Sequence, residues 1–87
     1  MDSPEVSRLV VDAVHRLSGR PWVFASGVLE GAPLRIGDRV TIESDQATLA
    51  ATVETVELHG RPGLVTIAVA GDLAYAVKPG SVISRRV

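Results

Sequence analysis

The sequence predicts an all-β fold, a small closed antiparallel β-barrel of six or seven strands. Two observations lead to it: apolar and polar side chains alternate with a period of two, and glycine-containing turns interrupt this alternation at regular intervals. A sheet of this size without covering helices must hide both its edges and its apolar face, and barrel closure does both. The strand count alone leaves a two-sheet sandwich as the alternative.

The first half of the chain predicts a hairpin followed by one further strand. Leu9, Val11 and Ala13 share one face of the first segment, whereas Val10 and Val14 also fit the spacing of a helix. Because valine is β-branched, we favour a strand. The other elements expected in this half are a turn at 18–21, a strand at 22–29, a loop at 31–37 and a strand at 39–43.

The second half predicts one long bent strand and several shorter elements. The apolar positions of the segment 48–58 change phase near Glu54 and Thr55, which indicates a bulge there. Residues 64–70 are apolar on both faces, as expected for a well-covered central strand. A turn at 59–63, a short strand at 73–77 and a terminal strand at 81–83 complete the prediction.

The length of 87 residues allows one domain, residues 1–87, built around one core. Apolar residues make up 46% of the chain, enough for a core that needs no metal or disulfide. The absence of cysteine excludes disulfide scaffolds, thiolate zinc sites and cysteine nucleophiles, and it favours a reducing, cytoplasmic location. No apolar segment approaches the ~20 residues of a membrane helix, and the N-terminus lacks the basic start of a signal peptide.

The charge balance argues against a protein that gathers nucleic acid by its overall field. The net charge is −1, so any contact with phosphates has to come from a local basic patch. Lys78 is the single lysine, and every other cation is an arginine. This bias reflects either the composition of the genome or a preference for planar, bidentate partners.

Several motifs occur in an order that resembles a known family. They are Gly27-Val-Leu-Glu-Gly-Ala-Pro-Leu-Arg-Ile-Gly-Asp38 followed by Arg-Val-Thr-Ile42, Val53-Glu-Thr-Val-Glu-Leu-His-Gly-Arg61, Ala68-Val-Ala-Gly-Asp72 and the Gly19-Arg20 turn. Together they resemble the second, β-barrel domain of translational GTPases such as elongation factor Tu and the selenocysteine-specific elongation factor. At the residue level, Gly37 suits a turn with positive φ, and Asp38 is expected to bond backbone amides beyond it.

This resemblance implies a free-standing adaptor domain with the barrel fold of the family. In the family the domain helps to hold the 3′ end of aminoacyl-tRNA or rests on ribosomal RNA and protein, whereas the neighbouring GTPase domain performs the chemistry. The chain has no phosphate-binding loop of the Gly-x-x-x-x-Gly-Lys-Ser/Thr type, so nucleotide hydrolysis is not expected of it. Gly31 stands one residue before the family's glycine, and the segment after Asp72 is shorter than the family's closing strands.

A cationic rim is the candidate binding site. If closure brings the tip of the first hairpin beside the turn at 59–63, then Arg20, His59 and Arg61 form a compact basic cluster, which Arg35 and Arg39 extend. The function expected from it is contact with RNA or a ribonucleoprotein. A solvated surface with no partner is the alternative interpretation of these charges.

No enzyme, metal site or cofactor is expected. His15 and His59 lack metal-binding spacing, and no serine stands in a nucleophile elbow. Trp22 and Phe24 lie two apart on one strand, which favours packing in the core over stacking on a ligand. The alternative function is a protein-interaction or self-associating barrel that pairs through an exposed edge near the short C-terminal strands.

Overall fold

The computed structural model describes residues 6–16, 19, 21–45, 47–73 and 76–86. These residues form one curled, seven-stranded antiparallel sheet. The strands are β1 (Val6–Arg16), β2 (Trp22–Gly31), β3 (Arg39–Glu43), β4 (Thr48–Thr52), β5 (Thr55–Leu58), β6 (Leu64–Ala70) and β7 (Val82–Arg86). A single 3-10 turn, Gly71–Leu73, is the helical element of the described part, and no helix there is long and apolar enough to cross a membrane. The all-β prediction is confirmed, as are the bounds of β3 and β6.

The order of the strands in the sheet is β4-β3-β7-β1-β2-β6-β5. Strand β7 therefore pairs with β1 on one side and with β3 on the other. The predicted free edge near the C-terminus is wrong, because the last strand continues to Arg86 and lies inside the sheet. The predicted strand at 73–77 is also wrong: Leu73 ends the 3-10 turn, and Ala76 and Val77 lie outside any strand, while residues 74 and 75 lie outside the described part.

The core lies on one face of the sheet, which we call the inner face. Apolar side chains on this face alternate with outward-facing ones along each strand, so the period of two in the sequence does predict most of the core. Residue Leu34 of the β2–β3 loop adds to the core from outside the strands. The other members are Leu9, Val11, Val23, Ala25, Val40, Ile42, Ala51, Val53, Val65, Ile67, Val69, Val77 and Ile83.

A bulge in β1 changes which residues face inward. The register with β2 shifts between Val11 and Ala13, so Asp12 is the extra residue. Before the bulge Val11 is buried in the core, and after it Val14 packs against the core while Ala13 is exposed. The expectation that Ala13 shares a face with Leu9 and Val11 is wrong for this reason.

Strands β4 and β5 lie on the two opposite edges of the sheet, although only Val53 and Glu54 separate them in the chain. The Val53 N–H donates to the Asp38 carbonyl oxygen at 2.9 Å, on the β3 side. The next N–H, of Glu54, donates to the Ala68 carbonyl oxygen of β6 at 2.8 Å. The predicted bend near Glu54 and Thr55 therefore corresponds to the point where the chain changes its pairing partner.

We expect Gly27→Ala to destabilise the protein, because a Cβ at this buried position would collide with the Val10 carbonyl oxygen of β1. Separating β1 from β2 to relieve the collision should cost about 1–3 kcal/mol, measured as the free energy of unfolding in urea. Gly60→Ala is the matched control, since nothing lies within 4 Å of a Cβ there. Equal stabilities for the two variants would contradict the close approach of β1 and β2.

Candidate functional site

The predicted site residues lie in three places along the chain. His59 and Arg61 belong to the exposed turn between β5 and β6, Arg35 lies in the exposed loop between β2 and β3, and Arg39 begins β3. Arg20 lies outside the described residues. The first four can therefore be located relative to one another through the pairing of the strands.

Strand register places these four residues at one end of the sheet. The Leu29 N–H donates to the Gly63 carbonyl oxygen at 2.7 Å, which fixes the turn at 59–63 beside the last residues of β2. The β2–β3 loop, with Arg35, starts two residues further on and is held by a bond from the Ala32 N–H to the Val6 carbonyl oxygen. We call this end, formed by the start of β1, β3 and β6 and the end of β2, β4, β5 and β7, the arginine end.

The described flanks of the first hairpin turn lie at the opposite end of the sheet. Trp22 pairs with Ala70, at the far end of β6 from the turn that carries His59, and the Gly71 N–H donates to the Pro21 carbonyl oxygen. A seven-residue strand spans about 23 Å. The described flanks of the hairpin tip are thus not beside His59, and the expected compact rim does not form around them.

Two further arginines at this end were missed by sequence analysis. Arg8 lies on β1 opposite Glu30, and their side chains are 3.7 Å apart; Arg85 lies near the end of β7, with its Nε 3.7 Å from the Asp38 carboxylate. Both arginines stand within strands, where the sequence signals only a surface position. Strand β1 begins at the end of the sheet where β7 ends, and only the pairing of the two strands reveals this.

Asp38 links the β2–β3 loop to the last strand. Its carboxylate accepts a hydrogen bond from the Arg35 N–H at 2.9 Å and lies 3.7 Å from the Arg85 guanidinium. The accepted bond comes from a residue before the turn, not from one beyond it as predicted. Gly37, with φ +93°, supplies the left-handed backbone that this turn requires. The Gly-Asp pair is therefore structural, and it also sets the position of Arg35.

A chain of hydrogen bonds crosses the outer face of the sheet next to the arginine end. The Nε2 of His59 and the hydroxyl of Thr66 are 2.6 Å apart, and the hydroxyls of Thr66 and Ser26 are also 2.6 Å apart. Thr66 is only 4% exposed, so it links the exposed His59 ring to β2 through a buried hydroxyl. His59 is held by this contact, which the turn sequence alone does not indicate.

The outer face also carries aromatic side chains. The rings of His15 and Phe24 stack at 5.5 Å between centroids, and Trp22 meets Phe24 edge-on at 6.3 Å. Phe24 is buried, but it lies outside the inner-face cluster, since its neighbours Val23 and Ala25 are the core residues of this strand. Trp22 and Phe24 were predicted to pack in the core. Phe24 is buried, but on the outer face and not in the core cluster, and Trp22 is half-buried against it. His15 is exposed on β1.

Aliphatic side chains form a row across β7, β1, β2 and β6 on the same outer face. Val10 of β1 pairs with Val82 of β7 and with Val28 of β2, and Val28 pairs with Leu64 of β6. Val10 is 38% exposed and Val28 is 53% exposed. Alternation alone assigns such positions to a polar face, so sequence analysis gave no signal for this row.

The described residues contain no group of three or more histidine, aspartate or glutamate side chains placed to hold a metal ion. A shallow polar depression of about 230 Å³ lies at the other end of the sheet, lined by Ser44, Asp45 and the segment 78–81. Asp45 and Lys78 are 3.8 Å apart within it, so its main charges compensate each other. At the arginine end, by contrast, Arg35, Arg39 and Arg61 are exposed.

No protein-family model matches the chain, and no curated protein matches it either. The resemblance to the second domain of translational GTPases therefore rests on the ordered motifs alone.

We expect Thr66→Val to lower the free energy of unfolding by about 1–2 kcal/mol, because it removes the hydroxyl between His59 and Ser26 at a buried position. Thr41→Val is the control: Thr41 lies half-buried on β3 and makes no side-chain hydrogen bond in the described part of the chain. Urea unfolding of both variants measures the difference. If Thr66→Val lowers the free energy of unfolding no more than Thr41→Val does, the hydrogen bonds between His59, Thr66 and Ser26 contribute nothing to stability.

Asp38→Asn should destabilise the protein by about 1 kcal/mol, because it removes the charge facing Arg85 while an amide oxygen can still accept from the Arg35 N–H. The Asp38 and Arg85 side chains are only 20% and 17% exposed, so water screens this pair weakly. Asp45→Asn, at the exposed pair with Lys78, should cost less than about 0.5 kcal/mol in the same unfolding measurement. If Asp45→Asn destabilised the protein more than Asp38→Asn, the contact between Asp38 and Arg85 would not be a stabilising link between the β2–β3 loop and β7.

Proposed function

We propose that this chain is a non-catalytic binding module that contacts RNA or a ribonucleoprotein surface through its arginine end. The observation that carries the proposal is the concentration of charge there: five arginines with described side chains lie at this end, against four carboxylates. The arginines are Arg8, Arg35, Arg39, Arg61 and Arg85, and the carboxylates are Glu30, Asp38, Glu54 and Glu57. A local basic surface on a chain of net charge −1 favours a specific contact over general attraction to polyanions.

Three of these arginines are available to a partner. Arg35, Arg39 and Arg61 are exposed, and none of their guanidinium groups pairs with a carboxylate in the described part of the chain. A guanidinium group offers planar, bidentate donors that match phosphate oxygens. Because these three side chains come from two loops and the start of a strand, they present separate donors along the end of the sheet and match a chain of phosphates better than a single anion.

The resemblance to the second domain of translational GTPases supports the same conclusion. It implies an adaptor that holds tRNA or rests on the ribosome, and a closed barrel as its fold. Closure is supported by the position of β4 and β5, which lie on opposite edges of the sheet and are joined by only Val53 and Glu54. Under this proposal the barrel closes at Val53 and Glu54, which bond to the β3 side and to β6, whereas the backbone groups of β4 that point away from β3 stay at an open edge. A cytoplasmic location belongs to the same proposal.

The test is binding of a fluorescent tRNA acceptor-stem fragment over a series of salt concentrations. We expect Arg35→Gln and Arg61→Gln each to weaken binding and to lower the slope of log K against log salt by about 1, because each removes one phosphate contact. Arg16→Gln is the matched control, since Arg16 is exposed near the opposite end of the sheet. Its binding curve should coincide with that of the wild type.

Absent binding, or binding that does not respond to salt, would overturn the proposal. A loss of affinity in Arg16→Gln equal to that in Arg61→Gln would show that the contact does not involve the arginine end. Unchanged unfolding curves for all three variants, expected because the substituted side chains are exposed, ensure that any loss reflects binding.

A further inference from the structure

Strand β4 forms one outer edge of the sheet and pairs only with β3. Its sequence, Thr-Leu-Ala-Ala-Thr, contains no charged residue and no proline. Natural edge strands usually carry such residues, because an unprotected row of backbone N–H and C=O groups invites pairing with another strand. Thr48 and Ala50 are exposed on this edge. The other edge, β5, differs in that it carries Glu57.

The hydrogen bonds at the two ends of the β3–β4 hairpin fix which backbone groups are free. The Ser44 N–H donates to the Ala47 carbonyl oxygen at 2.9 Å, and the Val53 N–H donates to the Asp38 carbonyl oxygen at 2.9 Å. Hydrogen-bonded and non-bonded residue pairs alternate between these two points in an antiparallel ladder. Leu49 and Ala51 therefore face β3 with their backbone groups.

The backbone N–H and C=O groups of Thr48, Ala50 and Thr52 consequently point away from β3, toward the free edge. The side chains of these three residues lie on the outer face, because Leu49 and Ala51 occupy the inner one with Ile42 and Val40. The edge thus presents three evenly spaced donor and acceptor pairs. Two threonines flank a small alanine at the centre of this edge.

We propose that β4 is a self-association edge, at which two copies of this chain pair their β4 strands antiparallel about a two-fold axis at Ala50. In this register Ala50 opposes Ala50 of the second copy, and Thr48 opposes Thr52. All three opposed pairs are of the hydrogen-bonded type, so each exchanges both N–H···O bonds. Leu49 opposes Ala51 on the inner face, and threonines oppose each other on the outer face, a favourable cross-strand pair.

The charges beside the edge agree with this register. On β3, Arg39 pairs with Thr52 and Glu43 pairs with Thr48, so the two charges lie at opposite ends of the strand. The two-fold axis places Glu43 of one copy in the same cross-strand row as Arg39 of the other, three strand spacings or ~14 Å away, so their attraction is weak and long-range. A second copy in this antiparallel register therefore aligns unlike charges, whereas a parallel partner would align like ones. The interface is isologous, so it closes as a dimer and does not propagate.

The experiment is sedimentation velocity of the full chain over a dilution series, with charges introduced at the centre of the edge. Ala50→Lys and Ala50→Glu each place two like charges directly opposite each other, and each should weaken dimerisation ~fivefold or more. An equal mixture of the two variants should restore dimers, as heterodimers resolved by native mass spectrometry. Ala13→Lys is the matched control, because Ala13 is also an exposed alanine of the outer face but lies on the interior strand β1.

A monomer at every concentration of the wild type would overturn the proposal, as would dimerisation of Ala50→Lys equal to that of the wild type. Equal weakening in Ala13→Lys would place the contact on the outer face and not at the edge. Restoration in the mixture excludes misfolding of the single variants as the cause of their weakening. The result is separable from RNA binding, because Ala50 is uncharged and none of the five arginines is altered.

Discussion

The two longest strands, β1 and β2, approach each other closely at Gly27, where any side chain would meet the Val10 carbonyl oxygen. This contact lies beside the bulge at Asp12, where β1 gains a residue relative to β2. The bulge bends β1 and increases the local twist. Because β1 also pairs with β7, and β2 with β6, the bend at the centre contributes to the curl of the whole sheet. A sheet with no covering helices depends on that curl to cover its inner face.

The curl leaves two chemically different surfaces at the periphery. One is the arginine end, where strand ends and two loops bring together side chains that are far apart in the chain. Asp38 holds this end in shape by its contacts with the Arg35 N–H and with Arg85. The other surface is the β4 edge, which carries no charge and offers only backbone groups and small side chains. The proposed phosphate contact uses side chains at the arginine end, and the proposed strand pairing uses backbone groups of β4; the two surfaces meet where Arg39 pairs with Thr52.

Period-two alternation was enough to predict β3, β6 and the first hairpin, because these strands bury one face or both and turn residues bound them. The alternation gave wrong predictions where strand pairing changes which face of the sheet a side chain occupies. Ala13 and Val14 exchange faces because of a bulge that a one-dimensional pattern does not reveal. Phe24 has the spacing of a core residue, yet it is buried on the outer face by its own aromatic neighbours. Residues 73–77 have strand composition, but the chain forms a 3-10 turn after Ala70 instead.

The sequence by itself determined that the fold is all-β, that Gly37 and Asp38 make a turn, and that the cations are almost entirely arginines. These properties depend on local preferences and on composition. The tertiary structure decided where those arginines meet. Strand pairing set His59 and Arg61 at the same end as Arg35 and Arg39, added Arg8 and Arg85, and placed the described flanks of the first hairpin turn, Arg16 and Trp22, at the other end. It also decided that β4 and not β7 is an edge, because the order of strands in a sheet follows from long-range pairing that no local pattern encodes.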